Sequence, residues 1–412
     1  MILYIDPGTG SMLFSLFIGL AAAIYYFVKM AFIRVKFMLT GKSSERSSSR
    51  DEIAVYCEAG HYWNVFKPVL DELEKSGRKV SYYTSAKDDP FFDGGYKSVK
   101  GRYIGEGNRA FAFLNFLQAD VCLMTTPGLD VYQLKRSKDV SHYSHILHAV
   151  DDATSYEMFG LDYFDSVLLS GEYQKEGVRE VESKRGDPPK ELEVVGCPYL
   201  DVLRLKVEQG ASGRREGFTV LVAPSWGRNS ILVKYGSGML DVLAKSDLRV
   251  IVRPHPQSMK SEPGVIESLR ERYGDRLEWD FAPENLGSLS RADVMISDFS
   301  SVIFDYAFLF ERPVFYVMQD FNMEIYDAGE LDEKPWKFKA IERIGVEVRE
   351  EDFLDLPERL VKSAGDESLL SEIRKAKGEA WQHIGESGVR TAAFLLRKVD
   401  EVQAGRAEKD AS

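Results

Sequence analysis

Two short motifs place histidines where they could act on a phosphate group. Arg253-Pro254-His255-Pro256 follows an apolar run at 248–252. The flanking prolines stiffen the backbone and remove donors, which would fix an imidazole at a strand end; a prolyl turn without chemistry would be spelled the same way. Ile146-Leu147-His148-Ala149-Val150-Asp151-Asp152 sets a second imidazole at another strand end with two carboxylates behind it. Imidazole titrates near neutral pH, so His148 suits a general base oriented by Asp151 or Asp152, and the alternative is a satisfied core histidine. Ser297-Asp298-Phe299-Ser300-Ser301 stands between an apolar strand and the apolar run 302–310. Hydroxyls and free backbone N–H groups at a helix start form an anion site, or an ordinary N-cap.

Two more strand-end loops have useful side chains. Ala223-Pro224-Ser225-Trp226-Gly227 offers a hydroxyl and an aromatic surface, and Ala59-Gly60-His61-Tyr62-Trp63-Asn64 sets His61 at a helix start, either a place for a phosphate or a hydrophobic entry turn. His142, His145 and His148 repeat every third residue, but in a strand His145 faces away from the other two, so no metal site is expected. No Walker A sequence, HExxH or nucleophile elbow occurs. Cys57, Cys122 and Cys197 are sparse and form no CxxC, which suits a reducing compartment and small buried side chains.

The elements that must carry these motifs alternate. Strands are expected at 53–57, 80–83, 120–124, 144–148, 166–169 and 192–195, and then at 218–222, 248–252, 293–296 and 313–317. Helical stretches separate them; in the first, Val65, Phe66, Val69, Leu70 and Leu73 share one face. Such an order builds parallel sheets covered by helices. The polar, glycine-bearing stretch 206–217 is the expected hinge. Two Rossmann-like domains facing across a cleft follow, an N-terminal one at 53–208 and a C-terminal one at 209–390, with a C-terminal helix and tail at 391–412 that frays from 403.

Composition limits what the protein can be. With 44% hydrophobic residues, 24 Phe and 20 Tyr, the chain can bury two large cores. A net charge of −12 argues against a protein that coats nucleic-acid phosphates, so no nucleic-acid partner is expected. Residues 11–33 are apolar apart from Lys29, which predicts one N-terminal transmembrane helix within a 1–40 membrane anchor, followed by a Ser-rich linker at 41–52. Lys29, Arg34, Lys36, Lys42, Arg46 and Arg50 outnumber Asp6 and Glu45 in the first fifty residues. The positive-inside rule then places the large part of the chain in the cytoplasm, as a single-pass protein of the inner, cytoplasmic membrane.

Taken in order, Ala-Pro-Ser-Trp at 223–226, Arg-Pro-His-Pro at 253–256 and the block from Ser297 to Val317 resemble the CDP-glycerol glycerophosphotransferase family of teichoic-acid-type primases and polymerases. The block matches at Ser297, Asp298, Ser300, Ser301, Phe304, Asp305, Arg312, Pro313, Phe315 and Tyr316, with Asp320 a weaker addition. The resemblance reaches the first domain through Val195-Gly196-Cys197-Pro198-Tyr199-Leu200-Asp201 and spans about 53–390.

It implies a GT-B fold and a transferase of cell-envelope polymer synthesis. Such an enzyme moves glycerol phosphate, or a related polyol phosphate, from a CDP-linked donor to a lipid-linked or glycan hydroxyl and releases CMP, with no cofactor. By this resemblance Pro224, Ser225, Arg253, His255, Asp298, Ser300, Ser301 and Asp305 form the donor side. His148, His255 and Asp151 would be catalytic, and His61 and Asp152 would face the acceptor. The family's histidine-glycine-threonine-proline-leucine-lysine segment survives only as His148, with Asp151 and Asp152 following it. That departure keeps two alternatives open: a nucleotide-sugar glycosyltransferase or epimerase of the same fold, and a non-catalytic nucleotide- or glycan-binding membrane subunit.

Overall fold

The computed structural model describes residues 50–210, 217–317 and 322–411. The first sheet holds β1 (Asp51–Cys57), β2 (Val80–Thr84), β3 (Lys100–Tyr103), β4 (Ala119–Met124), β5 (Val140–Ile146), β6 (Ser166–Leu169) and β7 (Glu191–Val194). They lie in the order β3-β2-β1-β4-β5-β6-β7, with every pairing parallel. The second sheet holds β8 (Thr219–Val222), β9 (Arg249–Val252), β10 (Glu278–Trp279), β11 (Val294–Ser297), β12 (Val314–Tyr316) and β13 (Gly345–Glu347). Its order, β10-β9-β8-β11-β12-β13, repeats the first and is also parallel throughout. In each sheet the strand order reverses beside the first strand, and a crevice opens beyond the carboxyl ends there.

The apolar strands are where the sequence places them, because a parallel strand covered on both faces reads as a continuous hydrophobic run. β3, β10 and β13 carry no such run. They are edge strands that water partly covers, and Lys100–Tyr103 is largely exposed. The Trp63–Ser76 helix buries Val65, Phe66, Val69, Leu70 and Leu73 as its spacing predicts, and it ends at Gly77, whose φ of 70° suits the left-handed cap.

The C-terminal helix, Ser387–Ala411, returns to the first sheet. Phe394, Leu395 and Val399 join the core formed with the Trp63–Ser76 helix. The helix does not fray from 403 as expected: Gln403 Nε2 donates to Asp120 at 3.0 Å and Arg406 pairs with Asp120 at 2.7 Å. Asp201 holds the crossing that leads into it. Its carboxylate accepts from Trp381 Nε1 at 3.1 Å, Gly385 N at 2.7 Å and both the backbone N–H and the hydroxyl of Ser387. Gly196, at φ 94°, has Gln382 O so close that a Cβ would sit 2.6 Å from it.

The membrane expectation needs correction. Among the described residues no helix is long and apolar enough to cross a membrane. The longest, Ser387–Ala411, carries Arg390, Arg397, Lys398, Asp400 and Glu401 along its length. Single-pass anchoring in the cytoplasmic membrane is therefore withdrawn; residues 11–33, which suggested it, and Asp320 lie outside the described residues.

Candidate active site

The loops at the carboxyl ends of both sheets enclose a cavity of about 870 Å³. From the first unit it takes His61, Tyr62, His148, Asp151, Asp152 and Tyr156, and from the second Pro224, Arg253, His255, Ser300, Ser301 and Asp305. A smaller cavity of about 230 Å³ shares Asp151, His255, Ser300 and Ser301 with it and adds Ser225, Trp226 and Lys337. Asp298 lines neither.

On the second unit, His255 is half-buried, and its Nδ1 accepts the Gln257 N–H at 3.1 Å. That bond leaves the ring proton on Nε2 of the neutral imidazole, and burial lowers its pKa. Ser301 is the N-cap residue of the Val302–Phe310 helix, and its side chain makes no cap bond within that helix. The Ser301 hydroxyl donates instead to Asp151 across the cleft.

Asp298 acts on the loops rather than on a ligand. Its carboxylate accepts the N–H groups of Ser225 at 2.9 Å, Ser300 at 3.2 Å and Ile231 at 3.3 Å, tying the ends of β8 and β11 together. Arg253 borders the cavity, yet its guanidinium turns away to Asp280 at 2.5 Å and the Ala282 carbonyl at 2.7 Å, so it offers no free charge to a donor. Asp305 is buried one helical turn beyond Ser301. Desolvation raises its pKa to about 7, opposed by a hydrogen bond from Tyr199.

On the first unit, His148 sits just past the end of β5. Its Nδ1 is 3.4 Å from Thr125 Oγ1 and 3.5 Å from the Tyr156 hydroxyl, and Tyr62 stands edge-on to the ring at 5.1 Å. Burial lowers the His148 pKa to about 4 against the upward pull of Asp151, so the ring is neutral at pH 7. His145 lies behind it, buried, with Nε2 3.0 Å from the same Tyr156 hydroxyl.

Asp151 does not orient His148 as the sequence suggests. Lys337 Nζ lies 2.7 Å from Asp151 Oδ2, the oxygen that also accepts from Ser301. Burial pushes the Asp151 carboxyl up, but the Lys337 charge and these hydrogen bonds outweigh it and hold the pKa below the usual range. Asp152 caps the Trp336–Ile344 helix of the other unit, accepting the N–H of Trp336 at 3.2 Å and of Lys337 at 2.7 Å. Burial and then Asp151 raise its pKa to about 7. His61, in the short turn Gly60–Tyr62, is exposed at the rim.

The sequence reading missed Lys337, Tyr156 and Tyr199. Nothing local marks Tyr156; Tyr199 stands in the 195–201 segment without a polar neighbour to single it out, and Lys337 opens an amphipathic helix two residues after Pro335. Cys57, Cys122 and Cys197 are free and buried. Among the described residues no group of three or more His, Cys, Asp and Glu side chains is placed to hold a metal ion.

Two parallel sheets of the same strand order, facing across a cleft lined from both sides, define a GT-B-like fold. Solved structures share this fold: a putative UDP-N-acetylglucosamine 2-epimerase from Listeria monocytogenes is 14% identical, with a TM-score of 0.55, covering 86% of this chain and 98% of that one. The UDP-GlcNAc 2-epimerases of Methanocaldococcus jannaschii and Neisseria meningitidis are 12% and 13% identical, with TM-scores of 0.54 and 0.53; each pairing covers 84% of this chain and 99% of the other. No curated protein matches the chain significantly. Residues 191–332 match the family model of the CDP-Glycerol:Poly(glycerophosphate) glycerophosphotransferases, which supports the family that the motifs of this stretch resemble. The protein is a CDP-glycerol glycerophosphotransferase-like enzyme.

Proposed function

We propose that the protein transfers glycerol phosphate, or a related polyol phosphate, from a CDP-linked donor to a hydroxyl of a lipid-linked or glycan acceptor and releases CMP. The observation that carries the reading is that the family stretch puts His255, Ser300 and Ser301 on one wall of a cleft whose other wall holds His148. In this reading the unit at 53–208 receives the acceptor and the unit at 209–390 the donor.

The acceptor oxygen attacks the phosphorus that bears the polyol, and its proton passes to neutral His148. A new P–O bond forms, the bond from that phosphorus to the bridging oxygen breaks, and the bond's electron pair leaves with CMP. His255 Nε2–H, the Ser300 and Ser301 hydroxyls and the start of the Val302–Phe310 helix stabilise the charge that gathers on the phosphate oxygens. Holding both reactants between two rigid sheets supplies much of the rate, since such a transfer needs positioning and charge stabilisation above all.

The test is to incubate the full chain with CDP-glycerol, CDP-ribitol or a panel of UDP-sugars, together with hydroxyl acceptors, and to measure released nucleotide. CMP release from a CDP-polyol, lost in His148→Ala and in His255→Ala, is the expected result. Turnover of UDP-sugars alone would replace the reading with glycosyl transfer or epimerisation. Binding of CDP compounds without turnover on any acceptor would replace it with a binding role.

A further inference from the structure

A diphosphate brings at least two negative charges into a cleft whose walls are already acidic. Asp88, Asp151, Asp152, Glu284 and Asp305 all line the larger cavity. Of the lining groups that could offset that charge, Arg253 is committed to Asp280 and Ala282, and His255 is a neutral ring. Among the described residues, Lys337 is the one lysine that lines either cavity.

The Lys337 ammonium is nearly buried and stands 2.7 Å from Asp151 Oδ2 and 3.2 Å from Ser301 Oγ, in the smaller cavity that also holds His255 and Ser300. The two side chains that donate to Asp151 Oδ2 are therefore an ammonium and an N-cap hydroxyl, the pair of donors that a phosphate oxygen would use at a helix start. A carboxylate from the first unit occupies that position.

We propose that Lys337 is the cation that receives the donor's diphosphate, and that Asp151 holds the place of a phosphate oxygen on Lys337 and Ser301 until the donor enters. This deepens the phosphotransferase reading and rests on it. On donor binding, Lys337 and Ser301 exchange one anionic oxygen for another, so the ammonium is never left buried and unpaired, a state that would be costly. Asp151 and Asp152 have separate tasks: Asp152 holds the backbone of the helix that carries Lys337, while Asp151 holds its side chain.

Calorimetric titration of the full chain with CDP-glycerol, CDP and cytidine tests the assignment. Lys337→Met is expected to weaken CDP and CDP-glycerol at least about tenfold, the loss of one charge-assisted contact, with cytidine affinity unchanged. Lys337→Arg keeps the charge and should stay within about threefold of the native protein. Asp151→Asn removes the competing charge and should bind CDP at least as tightly as the native chain. Native CDP affinity should also fall more steeply with salt than that of Lys337→Met.

Equal CDP affinity in Lys337→Met and the native protein, or a parallel loss of CDP and cytidine, overturns the role of Lys337. Weaker CDP binding by Asp151→Asn overturns the exchange. A native protein that binds no cytidine compound at all fails at the phosphotransferase reading itself, an outcome distinct from the other two.

Discussion

A histidine works as a base only while unprotonated, and the neighbours of His148 keep it so. Its pKa of about 4 follows from burial, so the acid limb of the rate profile should lie near pH 4, well below the usual imidazole range, with activity rising as pH increases through it. His148→Ala should lower kcat about 10²–10⁴-fold and leave CDP affinity alone. Measurement of kcat against pH for the native chain, with CDP titration of the variant, checks both. Asp305 titrates in the opposite sense for stability. Its folded pKa of about 7 lies above the unfolded carboxyl value, so the folded state binds the extra proton between about pH 4 and 7. Its stabilising contribution is complete below that window and is lost as pH rises through 7. Asp305→Asn should therefore flatten the fall of Tm between pH 5 and 8 and, at pH 8, stabilise the protein by on the order of 2 kcal/mol. A Tm profile as steep as the native one would refute this.

At the scale of single elements, the helix that carries Lys337 starts without a capping side chain of its own and borrows Asp152 from the other sheet's unit. Loss of such a cap costs about 1 kcal/mol, and because the folded pKa of Asp152 is raised to about 7 its stabilising contribution fades as pH rises through that value, so Asp152→Ala should lower stability by about that amount at pH 5 and by less near pH 8. Denaturant midpoints at the two pH values decide the point. The strand-end loops show why the motif reading succeeded in place but not always in role. Asp298 falls in the expected loop, yet its oxygens are consumed by backbone N–H groups, and Arg253 is consumed by Asp280. A motif preserves residue type and position along the chain; whether a polar group faces a ligand or the neighbouring loop depends on what packs beside it.

At the scale of the whole molecule, the two units are clasped away from the chemistry. Arg185 reaches Asp162 at 2.6 Å in its own unit and Asp327 at 2.6 Å and Glu330 at 3.0 Å in the other, with only 9% of its side chain exposed. Arg185→Met would strand three carboxylates, two of them well buried, and should cost about 3 kcal/mol. Thermal unfolding together with small-angle scattering would register both the loss and any opening of the cleft. The C-terminal helix is a second link, since Phe394, Leu395 and Val399 complete the first unit's core from the far end of the chain. Removal of 387–412 exposes that core and should leave a protein without cooperative unfolding, each of these side chains contributing about 1.5–3 kcal/mol by burial.

The sequence by itself determined the α/β alternation, the buried strands, the helical face of Val65 to Leu73 and the family resemblance of 191–332, because each rests on residues close together in the chain. Covered strands announce themselves by apolar runs, and strand-end loops by the prolines and hydroxyls that sheet and helix termini require. Only the tertiary structure decided the polar pairings of the cleft. Lys337 meets Asp151 across 186 residues, Asp201 meets Ser387 across a similar span, and Tyr156 bridges two histidines from a turn with no periodicity to mark it. Such contacts depend on where two sheets and a returning helix come to rest against one another, and nothing in the local pattern of residues specifies which distant charge will be there.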